Sequence, residues 1–281
     1  MSAPPPAEVA LLPGAVTRTV ARWRAGQLQQ HADQIAEEVP IAIICNGEHF
    51  AVMMATPVQL EDFALGFALS EGLIAAPQEM LQLQVAPRLD GVELQLTIPP
   101  IRAQALAARA RQLEGRSGCG ICGSQQLDDV LRAPAVVKAG PVVTAAALDT
   151  ALAQLAAGQS LATATGATHA AAWAEADGRI RLLREDVGRH NALDKLIGAL
   201  QREGVAADTG FAVVTSRASY EMVLKAASAG IGVLAAISAP TALAIALADS
   251  CSLTLIGFAR PGGCAVYSHA GRYAGDSGGA V

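Results

Sequence analysis

The chain has 281 residues, 52% of them hydrophobic and 16% charged, with a formal net charge of -5. Such a balance excludes a disordered chain and lacks the basic excess of a nucleic-acid binder, while the length suffices for one large core or two small ones. A mildly acidic surface still leaves room for a small anionic ligand held by a few local Arg and Lys side chains. Residues 1–16 carry Pro4-Pro5-Pro6 and neither Lys nor Arg, so they lack the basic start of a secretory signal and read as a frayed tail. Val39 to Cys45 and Glu48 to Met54 flank Asn46-Gly47, a strong hairpin signal because both turn positions favour positive φ. Thr56 then reads as the cap of a helix with Pro57 at its first position, Leu60, Phe63, Ala64, Phe67 and Ala68 at helical spacing, and Gly72 as its stop. A second hairpin is expected from Leu81 to Ala86 and Val92 to Ile98 around Asp90-Gly91, and a helix from Ile101 to Leu113. Residues 17–114 therefore read as a small α+β domain.

A Gly-rich break carrying two cysteines and a linker occupy 115–140. Beyond it, 141–281 alternates: a helix over 144–157, strands over 169–175 and 179–185, a helix over 188–200, a strand over 211–215, a helix over 220–229, a strand over 232–237, a helix over 241–248, and strands over 252–258 and 265–268. Strands interleaved with helices of this length predict a layered α/β domain. The uncharged run from Ala226 to Ala248 is long enough for a membrane span. It contains Gly230, Gly232, Ser238 and Pro240, however, and divides into strand, turn and helix, so no membrane segment is expected.

Five cysteines, Cys45, Cys119, Cys122, Cys251 and Cys264, make no disulfide framework, and a reducing, cytoplasmic setting is the expectation. In Ser117-Gly118-Cys119-Gly120-Ile121-Cys122-Gly123 two thiols can face one ligand or each other, and flanking glycines, Arg116 and backbone N–H groups favour a thiolate. The pair is either a reactive thiol, a redox pair or half of a zinc site; no second CxxC supplies the remaining ligands of a structural zinc. Arg184-Glu185-Asp186-Val187-Gly188-Arg189-His190-Asn191-Ala192-Leu193-Asp194-Lys195 leaves a strand, turns and enters a helix. Leu193, Leu196, Ile197 and Leu200 form its apolar stripe, and Arg189, His190, Asn191, Asp194 and Lys195 fall mostly off it. That polar face is either an anion site at a helix N-terminus or a solvated face with local ion pairs. Ser216 and Arg217, at the end of a strand, either hold phosphate or merely cap the next helix. Phe258-Ala259-Arg260-Pro261-Gly262-Gly263 follows another strand, as a ligand loop or an ordinary turn. No Walker or GxGxxG loop is present.

Taken together these segments resemble the FdhD family: Thr56-Pro57 through Glu71-Gly72-Leu73, Cys119 to Gly123, Glu185 to Lys195, Thr215-Ser216-Arg217 with Tyr220-Glu221, and Gly257 to Arg260 with Tyr267-Ser268. The resemblance implies a sulfurtransferase that accepts persulfide sulfur from a cysteine desulfurase and transfers it to the molybdenum of bis-molybdopterin guanine dinucleotide, for the catalytic subunit of formate dehydrogenase. It implies Cys119 as the persulfide cysteine and Cys122 as its partner. It also implies that Phe258, Ala259, Arg260, Pro261, Gly262 and Gly263 are the cofactor loop. The reading of the residues themselves adds Arg189, His190, Asn191, Asp194, Ser216 and Arg217, at helix starts and strand ends, as further expected cofactor contacts. GDP would act as a mimic of the bound cofactor. The implied fold is a C-terminal three-layer domain like that of cytidine deaminases beside the smaller α+β domain, in a homodimer with no resident metal. Zinc deaminases order their motif as H-x-E before P-C-x-x-C; here the CxxC precedes His190, and no Glu stands two residues after it. A non-catalytic cofactor chaperone and a structural zinc module remain the competing readings.

Overall fold

The computed structural model describes residues 12–104, 134, 136–138 and 140–275. Residues 12–16 are not part of a tail as expected. Ala15 opens β1 (Ala15–Arg24), which pairs antiparallel with β2 (Gln27–Ala36). That hairpin escaped the sequence reading because it turns at Ala25-Gly26, without the Asn-Gly or Asp-Gly signal, and presents no continuous apolar face. β3 (Val39–Cys45) and β4 (Glu48–Ala55) form the expected hairpin, with φ of 49° at Asn46 and 85° at Gly47. β5 (Gln82–Arg88) and β6 (Gly91–Thr97) complete a four-stranded sheet ordered β4-β3-β6-β5, in which β3 runs parallel to β6. Their turn is Leu89-Asp90 rather than Asp90-Gly91. Gly91 belongs to the strand, where a Cβ would sit 2.2 Å from the Pro40 carbonyl oxygen.

Helix α1 (Leu60–Ser70) lies on this sheet through Phe63, Ala64, Phe67 and Ala68 and ends at Gly72 as anticipated. Thr56 does not cap it. The helix starts behind Gln59, which has φ of 53° and gives no side-chain cap, and Thr56 is wholly buried elsewhere.

In the C-terminal part, β7 (Val143–Thr144) pairs with β14 (Tyr273–Ala274), and Thr144 caps α2 (Ala145–Gly158) by accepting from the Ala147 N–H. A short helix α3 (Ser160–Thr165), not anticipated, leads to β8 (His169–Glu175) and β9 (Ile180–Asp186). Then come α4 (Arg189–Arg202), β10 (Gly210–Val214), α5 (Tyr220–Ser228), β11 (Val233–Ala236), α6 (Ala242–Ser250), β12 (Thr254–Arg260) and β13 (Gly263–Ser268). Six strands form one mixed sheet ordered β13-β12-β11-β10-β8-β9, with β10, β11 and β12 mutually parallel. Helix α2 covers one face and α4, α5 and α6 the other, each over its own apolar core, so the expected three-layer α/β arrangement is present. The uncharged run from Ala226 to Ala248 is the end of α5, the fully buried β11 and most of α6. No helix among the described residues is long and apolar enough to cross a membrane.

Helix α1 is sandwiched between the four-stranded sheet and α4. At the crossing, a Cβ on Gly66 would lie 1.7 Å from the Asp194 carbonyl oxygen, and one on Gly198 would lie 1.9 Å from that of Asp62. The two helix backbones therefore touch through reciprocal glycines.

Candidate functional site

The segment from Glu185 to Lys195 divides into inward and outward side chains. Asp186 and Lys195 are both fully buried and form an ion pair at 2.7 Å. Lys195 Nζ also donates to the Thr56 carbonyl at 3.0 Å, and the Thr56 N–H donates to Asp186 Oδ2 at 3.0 Å. Asp186 Oδ1 accepts from the Gly188 N–H and from Asn191 Nδ2, and the Asn191 amide reaches on to the Met54 carbonyl at 2.8 Å. The partners that hold these charges out of water come from Met54 and Thr56 before α1 and from Gly188 and Asn191 of the segment itself. Burial presses the Lys195 ammonium below its ordinary range against the pull of Asp186.

One helical turn on, Asp194 is fully buried. It accepts from Ser70 Oγ at 2.6 Å and pairs with Lys225 at 2.9 Å, which also reaches Glu71 at 2.8 Å. Burial alone would lower the Lys225 ammonium, yet Asp194 and Glu71 hold it above its ordinary range. Asp62 on α1 takes Arg184 at 2.8 Å and Arg202 at 2.6 Å. Glu185 accepts from the Leu161 and Ala162 N–H groups and fixes the start of α3. The expectation that Asn191, Asp194 and Lys195 lie off the buried stripe is thus corrected. α4 is covered on both sides, and these polar groups clasp the N-terminal part to the C-terminal part. Their side chains are spoken for by internal partners and present no free group to a ligand.

Arg189 and His190, in the first turn of α4, point the other way. His190 Nε2 contacts Glu221 Oε2, in the first turn of α5, at 2.7 Å, and this bond holds the Glu221 carboxyl below its usual range. His169, at the start of β8, stands opposite Asp186 in the β8–β9 register. Burial, then the nearby Arg189 and His190, hold its imidazole below the ordinary range. This group sits at the carboxyl end of β10, where α/β sheets gather ligands. Ser216 is buried and donates to the Arg217 carbonyl, whereas Arg217 is exposed. Neither Ser216 nor Ser219 caps α5 through its side chain. Further along the same edge, Phe258 is 46% exposed in left-handed backbone with φ of 50°, its N–H held by the Ser238 carbonyl. Arg260, Pro261, Gly262 and Gly263 are exposed at the tip of the β12–β13 hairpin, Ala259 is buried beneath, and the Gly262 N–H donates to the Asp149 carboxylate on α2. Sequence reasoning missed His169. It read Glu221 only as part of a family-like segment, because its partner His190 comes from a different element.

The family model for FdhD/NarQ matches residues 36–274. The chain belongs to the FdhD/NarQ family. A sulfur carrier protein FdhD from Xanthomonas euvesicatoria pv. vesicatoria is 58% identical over 264 residues, 94% of each chain. One from Xanthomonas campestris pv. campestris is 59% identical over 257 residues, 92% of each chain. One from Cupriavidus necator is 51% identical over 253 residues, 90% of this chain and 88% of its own. Among solved structures, a candidate formate dehydrogenase accessory protein from Desulfotalea psychrophila has a TM-score of 0.73 at 24% identity, covering 93% of this chain and 100% of that one, and it shares the fold.

As in the FdhD/NarQ resemblance read from the sequence, Cys119 and Cys122 are the thiols of interest; both lie outside the described residues. Two of the three described cysteines are unsuited to that role. Cys45 is buried and its thiol is pushed up to about 11, and burial also raises Cys251. Cys264 is half-buried against the α2 face of the sheet. No group of three or more His, Cys, Asp and Glu side chains among the described residues is arranged to hold a metal ion.

Proposed function

We propose that this chain is a sulfurtransferase: it carries sulfane sulfur on Cys119 and delivers it to the molybdenum of bis-molybdopterin guanine dinucleotide, its bound substrate, so that formate dehydrogenase matures. The observation that carries this reading is the match, over 94% of both chains, to a protein named a sulfur carrier. In the loading step the Cys119 thiolate attacks the outer sulfur of a donor persulfide on a cysteine desulfurase. A new S–S bond forms on Cys119, the donor S–S bond breaks, and the donor leaves as thiolate with no net redox change. In the delivery step the Cys122 thiolate attacks the Cys119 sulfur and expels hydrosulfide to the metal. The sulfane sulfur is reduced, the cysteine pair is oxidised to a disulfide, and a dithiol reductant restores it.

The geometry of the sheet edge supports the substrate assignment. Arg189, His190 and Arg217 lie at strand and helix ends, and the exposed Phe258 to Gly263 loop offers an aromatic face, an Arg and open backbone. These suit a guanine base and its anionic pyrophosphate, with GDP as a mimic. Asn191 and Asp194 serve the clasp that holds α4 in place rather than touching substrate. The strand order and three layers of the C-terminal part support kinship with the cytidine-deaminase fold. We further take 17–114 as a separate small domain, 115–140 as the thiol-bearing connection, and a cytoplasmic homodimer as the working form.

Intact-protein mass spectrometry after incubation with a cysteine desulfurase and cysteine tests the reading. A gain of one or more sulfur atoms, absent in Cys119→Ala and reversed by reductant, is expected. No gain in the wild type would sink sulfur transfer and favour a chaperone that only binds the cofactor.

A further inference from the structure

The β1–β2 ribbon is poorly explained by its own packing. Its two strands of ten residues form a sheet by themselves. A lone two-stranded hairpin is marginally stable in water and needs something to lie against. The ribbon is anchored at its base, where the Glu37 N–H donates to the Gly14 carbonyl at 2.8 Å and a Cβ on Gly14 would lie 2.7 Å from Thr56 Cγ2. Beyond that base, residues 21–32 are exposed throughout. Trp23, 69% exposed, stands directly opposite Leu28, 62% exposed, next to the turn.

Strand alternation sorts the side chains onto two faces. One face carries Arg18, Arg22, Arg24 and His31, all exposed, with Asp33 paired to Arg22 at 3.2 Å. Arg18 and Arg24 make no ion pair among the described residues. The other face takes alternate positions from Ala15 to Trp23 and from Leu28 to Ala36, and none of them is charged. Three Arg against one Asp give the ribbon a charge of +2, so the rest of the chain carries -7 of the total of -5. A basic arm with an apolar tip thus projects from an acidic body, and a second copy of the same chain offers that body as a complementary surface.

We propose that the β1–β2 ribbon is a dimerisation arm, exchanged reciprocally between two copies of this chain, each arm lying on the body of the other with Trp23 and Leu28 covered. The arm deepens the homodimer reading given above and rests on it. Size favours exchange over a one-way contact. Ten residues span about 34 Å, and two strands about 10 Å, so one face covers roughly 350 Å². That is under half of what each partner contributes to a standard interface, about 800 Å². Reciprocal exchange doubles it to roughly 700 Å² per copy, about 1,400 Å² in all, within the usual range, and a two-fold axis requires both arms to act alike.

Sedimentation equilibrium of the full chain tests the arm, for wild type, for Trp23→Ser with Leu28→Ser, and for Arg18→Glu with Arg22→Glu and Arg24→Glu. Wild type should sediment at twice 28.6 kDa. The apolar pair should raise the dimer Kd by roughly 10- to 100-fold. The charge reversals should raise it by at least about tenfold at low salt, and by less as salt screens the attraction. A second reading needs no variant that could misfold. The chain has two tryptophans, and Trp173 is fully buried. Acrylamide quenching therefore reports on Trp23, which should be shielded in the dimer and become accessible on dilution to monomer, with Trp23→Phe abolishing the change. A wild-type dimer with Kd within twofold in both variants, or with Trp23 as accessible as in the monomer, would overturn the arm and leave the homodimer standing. A monomeric wild type would overturn both and assign the ribbon to a different protein. Sulfur loading of Cys119, measured in parallel, reads the carrier function separately.

Discussion

Alanine at Gly66 or Gly198 is expected to destabilise the protein, against the usual sign for a helix interior. In an ordinary helix Gly→Ala gains about 1 kcal/mol from backbone entropy. Here the new Cβ would lie 1.7 Å from the Asp194 oxygen in one case and 1.9 Å from the Asp62 oxygen in the other. Both separations are roughly half a van der Waals contact, so α1 and α4 must part. Overpacking of this kind costs about 1–3 kcal/mol. Parting the helices also stretches Ser70–Asp194 at 2.6 Å and Asp62–Arg184 at 2.8 Å, which bridge the same interface. Leaving buried carboxylates short of partners adds to the loss, so a net destabilisation of roughly 2–4 kcal/mol is expected for either variant. Urea unfolding followed by far-UV circular dichroism measures it, and Ala246→Gly on the exposed face of α6 calibrates the propensity term. A neutral or stabilising Gly66→Ala would refute the direct backbone contact.

Lys195→Met leaves Asp186 buried without its counter-charge and should cost about 3–5 kcal/mol, of which the double variant with Asp186→Asn recovers part. A single-variant loss under about 1 kcal/mol in urea unfolding would show that the pair does not clasp the two parts together. His169 is held below the ordinary imidazole value of 6.5 in the folded chain, so the unfolded chain binds the extra proton first, and stability rises with pH across that window. Its contribution is complete above the unfolded value and is lost as pH falls through the folded one. The unfolding midpoint should therefore drop more steeply from about pH 7 to about pH 5 in wild type than in His169→Gln. Parallel slopes would place the titration elsewhere.

Much of the architecture was legible in the chain. Asn46-Gly47 dictated a primed turn, and the alternation beyond residue 141 dictated a layered α/β sheet, with strands and helices found within a few residues of expectation. These are local matters of turn chemistry and apolar period, and they need no partner to be read. The β1–β2 hairpin and α3 were missed because neither carries a strong apolar period or turn signal of its own.

The site was legible as a list of residues and illegible as an arrangement. The sequence by itself determined the family-like segments, the CxxC spacing, and that Arg, His, Asp and Lys crowd the start of one helix. Only the tertiary structure decided which of them face inward. Burial of α4 on one side is encoded in Leu193, Leu196, Ile197 and Leu200. Burial on the other side depends on α1, more than a hundred residues earlier, arriving through a glycine crossing. Once α1 is there, Asp186, Asn191, Asp194 and Lys195 are removed from water and must pair with Thr56, Met54, Ser70 and Lys225. Arg189 and His190, one turn earlier, are left at the sheet edge. Adjacent polar residues on one helix thus divide between holding the fold and meeting a ligand, because desolvation depends on what packs against each face, and periodicity along the chain carries no record of that.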